Sequence, residues 1–261
     1  MDDEKSRAIK RYFTPFPTWS IWLAVGVAAG VAWQGTFFAY GLGWAALAVA
    51  AWTVLRWAKR PGDAQIDAWL AGYLDLILPR SVEKSHLDAG DLIRDPVMFW
   101  SVRLSLPRGV FFGSVRGQDQ VLRYTPLHVT VVNFTEHQLG VYQCALDLTT
   151  GAQLNESVHQ ISYKHVVSVA TESRAETLPA SDVSPEIRAR CANFHDAVVD
   201  GQVQLKWAES FVLTTSGATT LRVMLRDPVL IEALGGGTLP TDRADQAVRA
   251  ILAMWRIKTV S

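Results

Sequence analysis

The sequence predicts an α-helical hairpin that spans a membrane, followed by an α+β domain that is mostly β-sheet. Three observations predict this fold class. A run of 43 residues from Phe13 to Leu55 contains no Asp, Glu, Lys or Arg. After residue 109, apolar and polar residues alternate in several segments, which is the period of a half-buried strand. The amphipathic segment from Arg243 to Ile257 predicts a C-terminal helix that closes the domain.

The charge-free run divides into two halves that are each long enough to cross a bilayer. Phe16 to Gln34 covers 19 residues and Thr36 to Leu55 covers 20, whereas a helix needs about 20 residues to cross the hydrocarbon core. The flanking segments are basic and the turn between the halves is uncharged. The positive-inside rule then predicts a multi-pass protein of the bacterial inner membrane with both termini in the cytoplasm. A signal peptide and a buried hairpin of a soluble protein are the alternatives.

Aromatic and small residues mark the predicted membrane anchor. Tryptophan is enriched where a helix crosses the membrane–water interface, and small residues four positions apart allow helices to pack closely. The predicted anchor residues are Trp19, Gly26, Gly30, Trp33, Trp52 and Trp57.

These patterns predict four regions in the chain. They are a cytoplasmic N-terminal tail at 1–12, the two-helix transmembrane hairpin at 13–57, a helical connector at 61–107 and a β-rich cytoplasmic domain at 108–261. Residues 61–261 contain 18 basic and 22 acidic residues. Because nucleic-acid binding needs a basic surface, this balance argues against it. The two cysteines, Cys144 and Cys191, are interpreted as reduced thiols.

The connector begins with an amphipathic helix. Apolar residues recur at three- and four-residue steps from Asp63 to Leu78, and Pro79 is expected to end the helix. The helix face is acidic rather than basic, which disfavours binding to anionic lipid. Its aromatic residues Trp69 and Tyr73, together with Trp255 of the C-terminal helix, are predicted to form a surface for partner proteins.

The following domain reads as strands in meander order. Strands are predicted at 97–106, 110–115, 121–133, 139–148, 161–169, 203–207, 211–215 and 219–226. Ser216-Gly217 predicts a hairpin turn between the last two strands. A flexible stretch at 173–182 and a short helix at 184–199 are predicted within the β region.

The segment from His128 to Trp255 is similar to the small pleckstrin-homology-like (PH-like) domains of bacterial membrane proteins. The resemblance rests on strand order, on the segment 161–169, on the hairpin at Ser216-Gly217 and on the closing helix. It implies an antiparallel β barrel or sheet closed by a C-terminal helix, and a binding or scaffold module rather than an enzyme. It does not imply phosphoinositide binding, because no Lys and Arg cluster lies in an early hairpin.

Sequence motifs predict no catalytic, cofactor-binding or metal site. Cys191 and His195 are four positions apart on a predicted helix, but zinc needs three or four ligands, so they are weak metal candidates. The same pair could form a thiol–imidazole nucleophile, as any chain with two cysteines and six histidines could. His165 is expected on the core face of its strand, where a histidine is usually hydrogen-bonded internally.

The resulting functional hypothesis is a non-enzymatic, membrane-anchored scaffold or assembly subunit. It predicts binding to the lipid bilayer and to membrane or cytoplasmic proteins, with a second copy of the chain as one candidate partner, and no nucleic acid or cofactor. The alternative is a lipid-binding module or lipid-facing enzyme at the membrane surface. A sensor of outside signals ranks last, because the predicted outward turn is only a few residues long.

Overall fold

The computed structural model describes the chain in several ranges. These are residues 3–15, 58–106, 109–190, 198–217, 220–226, 228–239 and 242–260, with residues 22, 25, 26, 44, 45, 48, 49 and 51–55. The chain divides into two compact units, one of residues 2–66 and one formed by residues 67–261 together with Met1.

The smaller unit contains an N-terminal helix, α1 (Asp3–Phe13). Its first turn is acidic and its last turn is basic, as the helix dipole favours. The Tyr12 hydroxyl donates a hydrogen bond of 2.7 Å to the Asp63 carboxylate. The Arg60 guanidinium lies 4.9 Å from the centre of the Tyr12 ring and donates to the Tyr12 carbonyl. These contacts fix the end of α1 to residues 60–63.

The prediction of a transmembrane hairpin at 13–57 is wrong on the structural evidence. Within the described residues, no helix is long and apolar enough to span a bilayer. The helical residues described between 16 and 57 form no run longer than 51–55, whereas a span needs about 20 residues. The prediction that the chain is a multi-pass protein of the inner membrane is wrong for the same reason.

Two of the six predicted anchor residues lie in the described part. Gly26 is helical and a Cβ at this position would have no atom within 4 Å. Trp52 is helical with 58% of its surface exposed. Trp19, Gly30, Trp33 and Trp57 lie outside the described residues.

The larger unit contains two main antiparallel sheets. The first has the order β1 (Leu92–Ser101), β4 (Leu127–Thr135), β5 (Gln138–Asp147), β6 (Ala152–Ser162). The second has the order β10 (Thr220–Arg226), β9 (Gln202–Thr215), β7 (Val166–Pro179), with the short β8 (Val198–Val199) also paired to β9. A ribbon of β2 (Gly113–Arg116) and β3 (Leu122–Thr125) completes the strands. The described strands form no closed barrel, since each main sheet ends in two edge strands, so the predicted PH-like barrel is corrected.

Four further helices accompany the sheets. They are α2 (Asp63–Lys84), α3 (Pro185–Arg190), α4 (Pro228–Ala233) and α5 (Asp242–Val260). Helix α2 was expected to end before Pro79 but continues to Lys84. Contacts with the first sheet hold its second half: Arg80 donates to Glu156 at 2.6 and 3.1 Å, and the Ser81 hydroxyl lies 3.3 Å from the Asn133 amide nitrogen.

The hydrophobic core lies between the inner faces of the two main sheets and helix α5. Side chains from all three elements bury each other there. This cluster includes Phe99, Val132, Phe134, Val141, Phe211, Leu213, Val223 and Ile251. The other face of the first sheet carries the contacts with α2, so β5 is buried on both faces.

Several predicted elements are confirmed and others shift. The Ser216-Gly217 turn joins β9 and β10, and the closing helix is α5. The stretch 173–182 was predicted to be flexible. Its residues up to Pro179 instead belong to β7, because the backbone of β7 pairs with β9 along nearly its whole length. The single strand expected at 121–133 is two strands, because β3 pairs with β2 whereas β4 pairs with β1 and β5.

The core is expected to carry most of the stability of the larger unit. Phe211 is 1% exposed within it, and replacing it with Ala should lower the free energy of unfolding by about 3–5 kcal/mol, because a cavity remains. Chemical denaturation measures this. Val167→Ala, at a residue that is 60% exposed in β7, is the control and should change stability by less than about 0.5 kcal/mol. Equal effects of both substitutions would contradict this account of the core.

Candidate functional site

A cavity in the 67–261 unit has a volume of about 1040 Å³. Its walls are formed by the end of β1, the residues that follow β1, the starts of β4 and α3, and the strands β9 and β10. The strand register places Ser101 of β1 opposite His128 of β4, and Ser210 of β9 opposite Met224 of β10. Residues from both main sheets therefore line one polar space beside the apolar core.

One serine holds two walls of this cavity together. The Ser184 backbone N–H donates to the Leu104 carbonyl at 3.0 Å, and the Leu106 N–H donates to the Ser184 hydroxyl at 2.6 Å. Ser184 also accepts, through its carbonyl, the N–H bonds of Ile187 and Arg188 at the start of α3. The loop after β1 and the helix α3 are thus fixed to each other at the cavity.

Three arginines and two acidic residues line the cavity. Arg103 lies on the loop after β1, Arg188 on α3 and Arg222 on β10, while Asp182 and Glu186 are the carboxylates. The Arg222 guanidinium is held by Glu172 at 3.1 Å. Arg103 and Arg188 have no ion-pair partner within the described ranges. The described lining thus carries one net positive charge, although residues 61–261 as a whole have four more acidic than basic residues.

Buried polar groups line the same space. Ser210 is 1% exposed, and its hydroxyl has no hydrogen-bond partner among the residues with described positions. Leaving such a group unpaired typically costs about 1–3 kcal/mol. Gln143 is also buried, and its side-chain amide donates to the Thr130 hydroxyl at 3.3 Å. A ligand that accepted a hydrogen bond from the Ser210 hydroxyl would remove that cost.

His128 is neutral at pH 7 in this environment. Burial, and secondly the nearby positive charge of Arg103, lower its pKa from 6.5 to about 4. A neutral imidazole has one N–H donor and one acceptor nitrogen. The cavity thus combines guanidinium groups, of which that of Arg222 is held by an ion pair, with neutral hydrogen-bonding groups.

This arrangement is suited to binding an anion. Guanidinium groups form paired hydrogen bonds to carboxylates and phosphates, and a serine hydroxyl can add another donor. In the described part of the chain, no group of three or more His, Cys, Asp or Glu side chains could hold a metal ion. The chemistry that the geometry offers is therefore recognition of a negatively charged group.

A second polar network lies on the opposite side of the first sheet. The Tyr142 hydroxyl donates to Glu156 at 3.0 Å, and Arg80 also binds Glu156. The hydrogen bond from Arg80 is the main cause that lowers the pKa of the Glu156 carboxyl. Neighbouring Cys144 is fully buried, and burial raises the pKa of its thiol to about 11. This network attaches α2 to the sheet, and its thiol is protonated at neutral pH.

The predicted site residues that the structure describes do not line the cavity. Cys191 and His195 are outside the described residues. Of the predicted partner surface, Trp69, Tyr73 and Trp255 are each partly buried, and Trp255 packs against the hydrophobic core.

The prediction for His165 is wrong. It is exposed in a one-turn 3-10 helix at 163–165 rather than on a core face, because the strand is interrupted there. Its Nδ1 lies 3.2 Å from the Ser216 hydroxyl.

Sequence reasoning missed the cavity arginines. Arg103, Arg188 and Arg222 are separated by at least 34 positions and share no local motif. They come together only through long-range packing of the sheets and α3. No spacing rule identifies such a set in a single sequence.

Comparison with known proteins identifies no relative. The chain matches no protein-family model, and neither the curated proteins nor the solved structures contain a significant match. Functional inference therefore rests on the geometry of the chain itself.

The lowered pKa of His128 predicts a specific loss of stability in mild acid. The unfolded chain binds the proton more tightly than the folded chain, so stability is full above pH 6.5 and falls as the pH drops towards 4. We expect His128 to contribute about 2 kcal/mol to this fall. Denaturant titrations at pH 7 and pH 4.5 should show a smaller difference for His128→Asn than for the unmodified chain. His159→Asn, at an exposed histidine, is the control and should leave the difference unchanged.

Proposed function

We propose that this chain is a non-enzymatic binding protein that assembles with a partner protein by taking an acidic segment of that partner into the cavity. The observation that carries the proposal is the juxtaposition of Arg103 and Arg188, which have no ion-pair partner in the part that the structure describes, with the buried and unpaired Ser210 hydroxyl. Each of these groups donates hydrogen bonds that a carboxylate accepts.

The size of the cavity favours a polypeptide segment over a small metabolite. Pockets for small molecules typically have volumes of about 300–1,000 Å³, and this cavity is at the upper end with about 1040 Å³. A lone carboxylate ion would fill little of it. Several side chains of one segment could occupy the space and reach guanidinium groups on different walls.

Charge complementarity supports an acidic partner. Asp182 and Glu186 at the cavity oppose the three arginines only in part, and His128 adds no charge at neutral pH. Binding should therefore weaken as salt is added, because exposed charges are screened.

The test is binding of a fluorescein-labelled octaglutamate peptide, measured by fluorescence anisotropy. Arg103→Gln/Arg188→Gln should weaken binding at least about tenfold, because charge-assisted hydrogen bonds contribute about 1.5–3 kcal/mol each. Arg116→Gln/Arg249→Gln removes the same charge from exposed residues outside the cavity and should leave the affinity nearly unchanged. Thermal unfolding checks that both variants fold.

Two results would overturn the proposal. One is equal weakening by the cavity variant and by its charge-matched control, which would indicate a general charge effect. The other is binding to vesicles that contain phosphatidylserine, lost in the cavity variant, with no binding to octaglutamate. That second result would instead favour the lipid-binding alternative.

A further inference from the structure

A second groove adjoins the cavity along the edge of β10. It has a volume of about 780 Å³ and is lined by 158–162 of β6, by 220–222 of β10 and by the turn at 215–217. Arg222 lines both this groove and the arginine cavity. Its lining contains His159, His165 and Arg222 but no Asp or Glu. The two spaces therefore share the strand β10 and the side chain of Arg222.

In the described part of the chain, the edge of β10 away from β9 has no strand partner. Among the described strands β10 pairs only with β9, and it stands at the end of the order β10-β9-β7. An edge strand presents unpaired N–H and C=O groups that can bind an extended peptide as an added strand. β10 alternates regularly: Leu221, Val223 and Leu225 are buried, whereas Arg222 and Met224 are partly exposed and, together with Val223, line the cavity.

The floor of the groove is held in place. The Ser216 N–H donates to the His165 carbonyl at 2.8 Å, and the two side chains meet at 3.2 Å. The turn between β9 and β10 is thereby fixed to the 3-10 turn between β6 and β7. The edge is accordingly pre-formed, which reduces the ordering cost of binding.

We infer that the acidic partner segment binds in an extended conformation as an additional strand on the edge of β10. This inference rests on the proposed function and specifies how the acidic segment binds. Because successive side chains of a strand point to opposite faces, acidic residues at every second position would face Arg222 and the cavity. The intervening residues would lie towards the apolar face that carries Leu221 and Val223. The preferred ligand is thus an acidic segment with alternating apolar residues.

The experiment compares three labelled peptides, each with blocked ends. The first alternates Glu and Val over eight residues, and the other two are N-methylated at all Glu or at all Val positions. A strand on an edge uses only every second backbone N–H for pairing. One N-methylated peptide should therefore bind at least about tenfold more weakly than the parent, and the other should bind comparably. A Lys-Val peptide is the charge control and should not bind.

Hydrogen exchange provides an independent measurement on the intact chain. Saturation with the Glu-Val peptide should slow amide exchange in 220–226 of β10. Exchange in 166–179 of β7, the edge at the other end of the same sheet, should be unchanged. Slowing in both segments, or in neither, would overturn the strand inference.

Different experimental results would contradict the strand inference and the proposed function. If both N-methylated peptides bind like the parent and Arg103→Gln/Arg188→Gln still weakens binding, the strand inference is wrong and the acidic-segment function stands. If the parent peptide and octaglutamate both fail to bind, the proposed function is wrong, and the inference falls with it.

Discussion

Mutual burial of the inner faces of the two main sheets and of α5 is the constraint on which the larger unit depends. Among the described strands, no hydrogen-bonded ladder joins the two sheets, and β1, β6, β7 and β10 are their edge strands. Apolar contact among residues such as Phe134, Phe211 and Ile251 therefore holds the two sheets together. This solution leaves strand edges exposed, which a closed barrel would not.

The cavity lies where the apolar contact between the two main sheets ends. Along β4, the buried apolar residues Val132 and Phe134 give way to Thr130 and His128 towards the start of the strand. The polar side chains cannot pack as densely as a core, and the loop held by Ser184 encloses the space beside them. The sheet packing thus places charged residues from distant parts of the chain around one opening.

The periodic spacing of apolar residues predicted the strands and helices that bury one face. The alternation of Leu221, Val223 and Leu225 and the apolar stripe of α5 are examples, since burial imposes a pattern that is readable in sequence. The second half of β7 was missed because it is held by backbone pairing to β9 and most of its side chains are exposed. The cavity arginines were missed because only tertiary packing unites them. The charge-free run met a hydropathy criterion, but composition alone does not establish a span.

The burial of Cys144 also determines when this thiol can react. A thiolate is the reactive form, and a group with a pKa of about 11 is almost entirely protonated near neutrality. Since β5 is buried on both faces, an alkylating reagent reaches the Cys144 sulfur only when the centre of the first sheet opens. In a chain with Cys191 replaced, the rate of modification at this sulfur would therefore report the opening frequency of the most deeply packed strand.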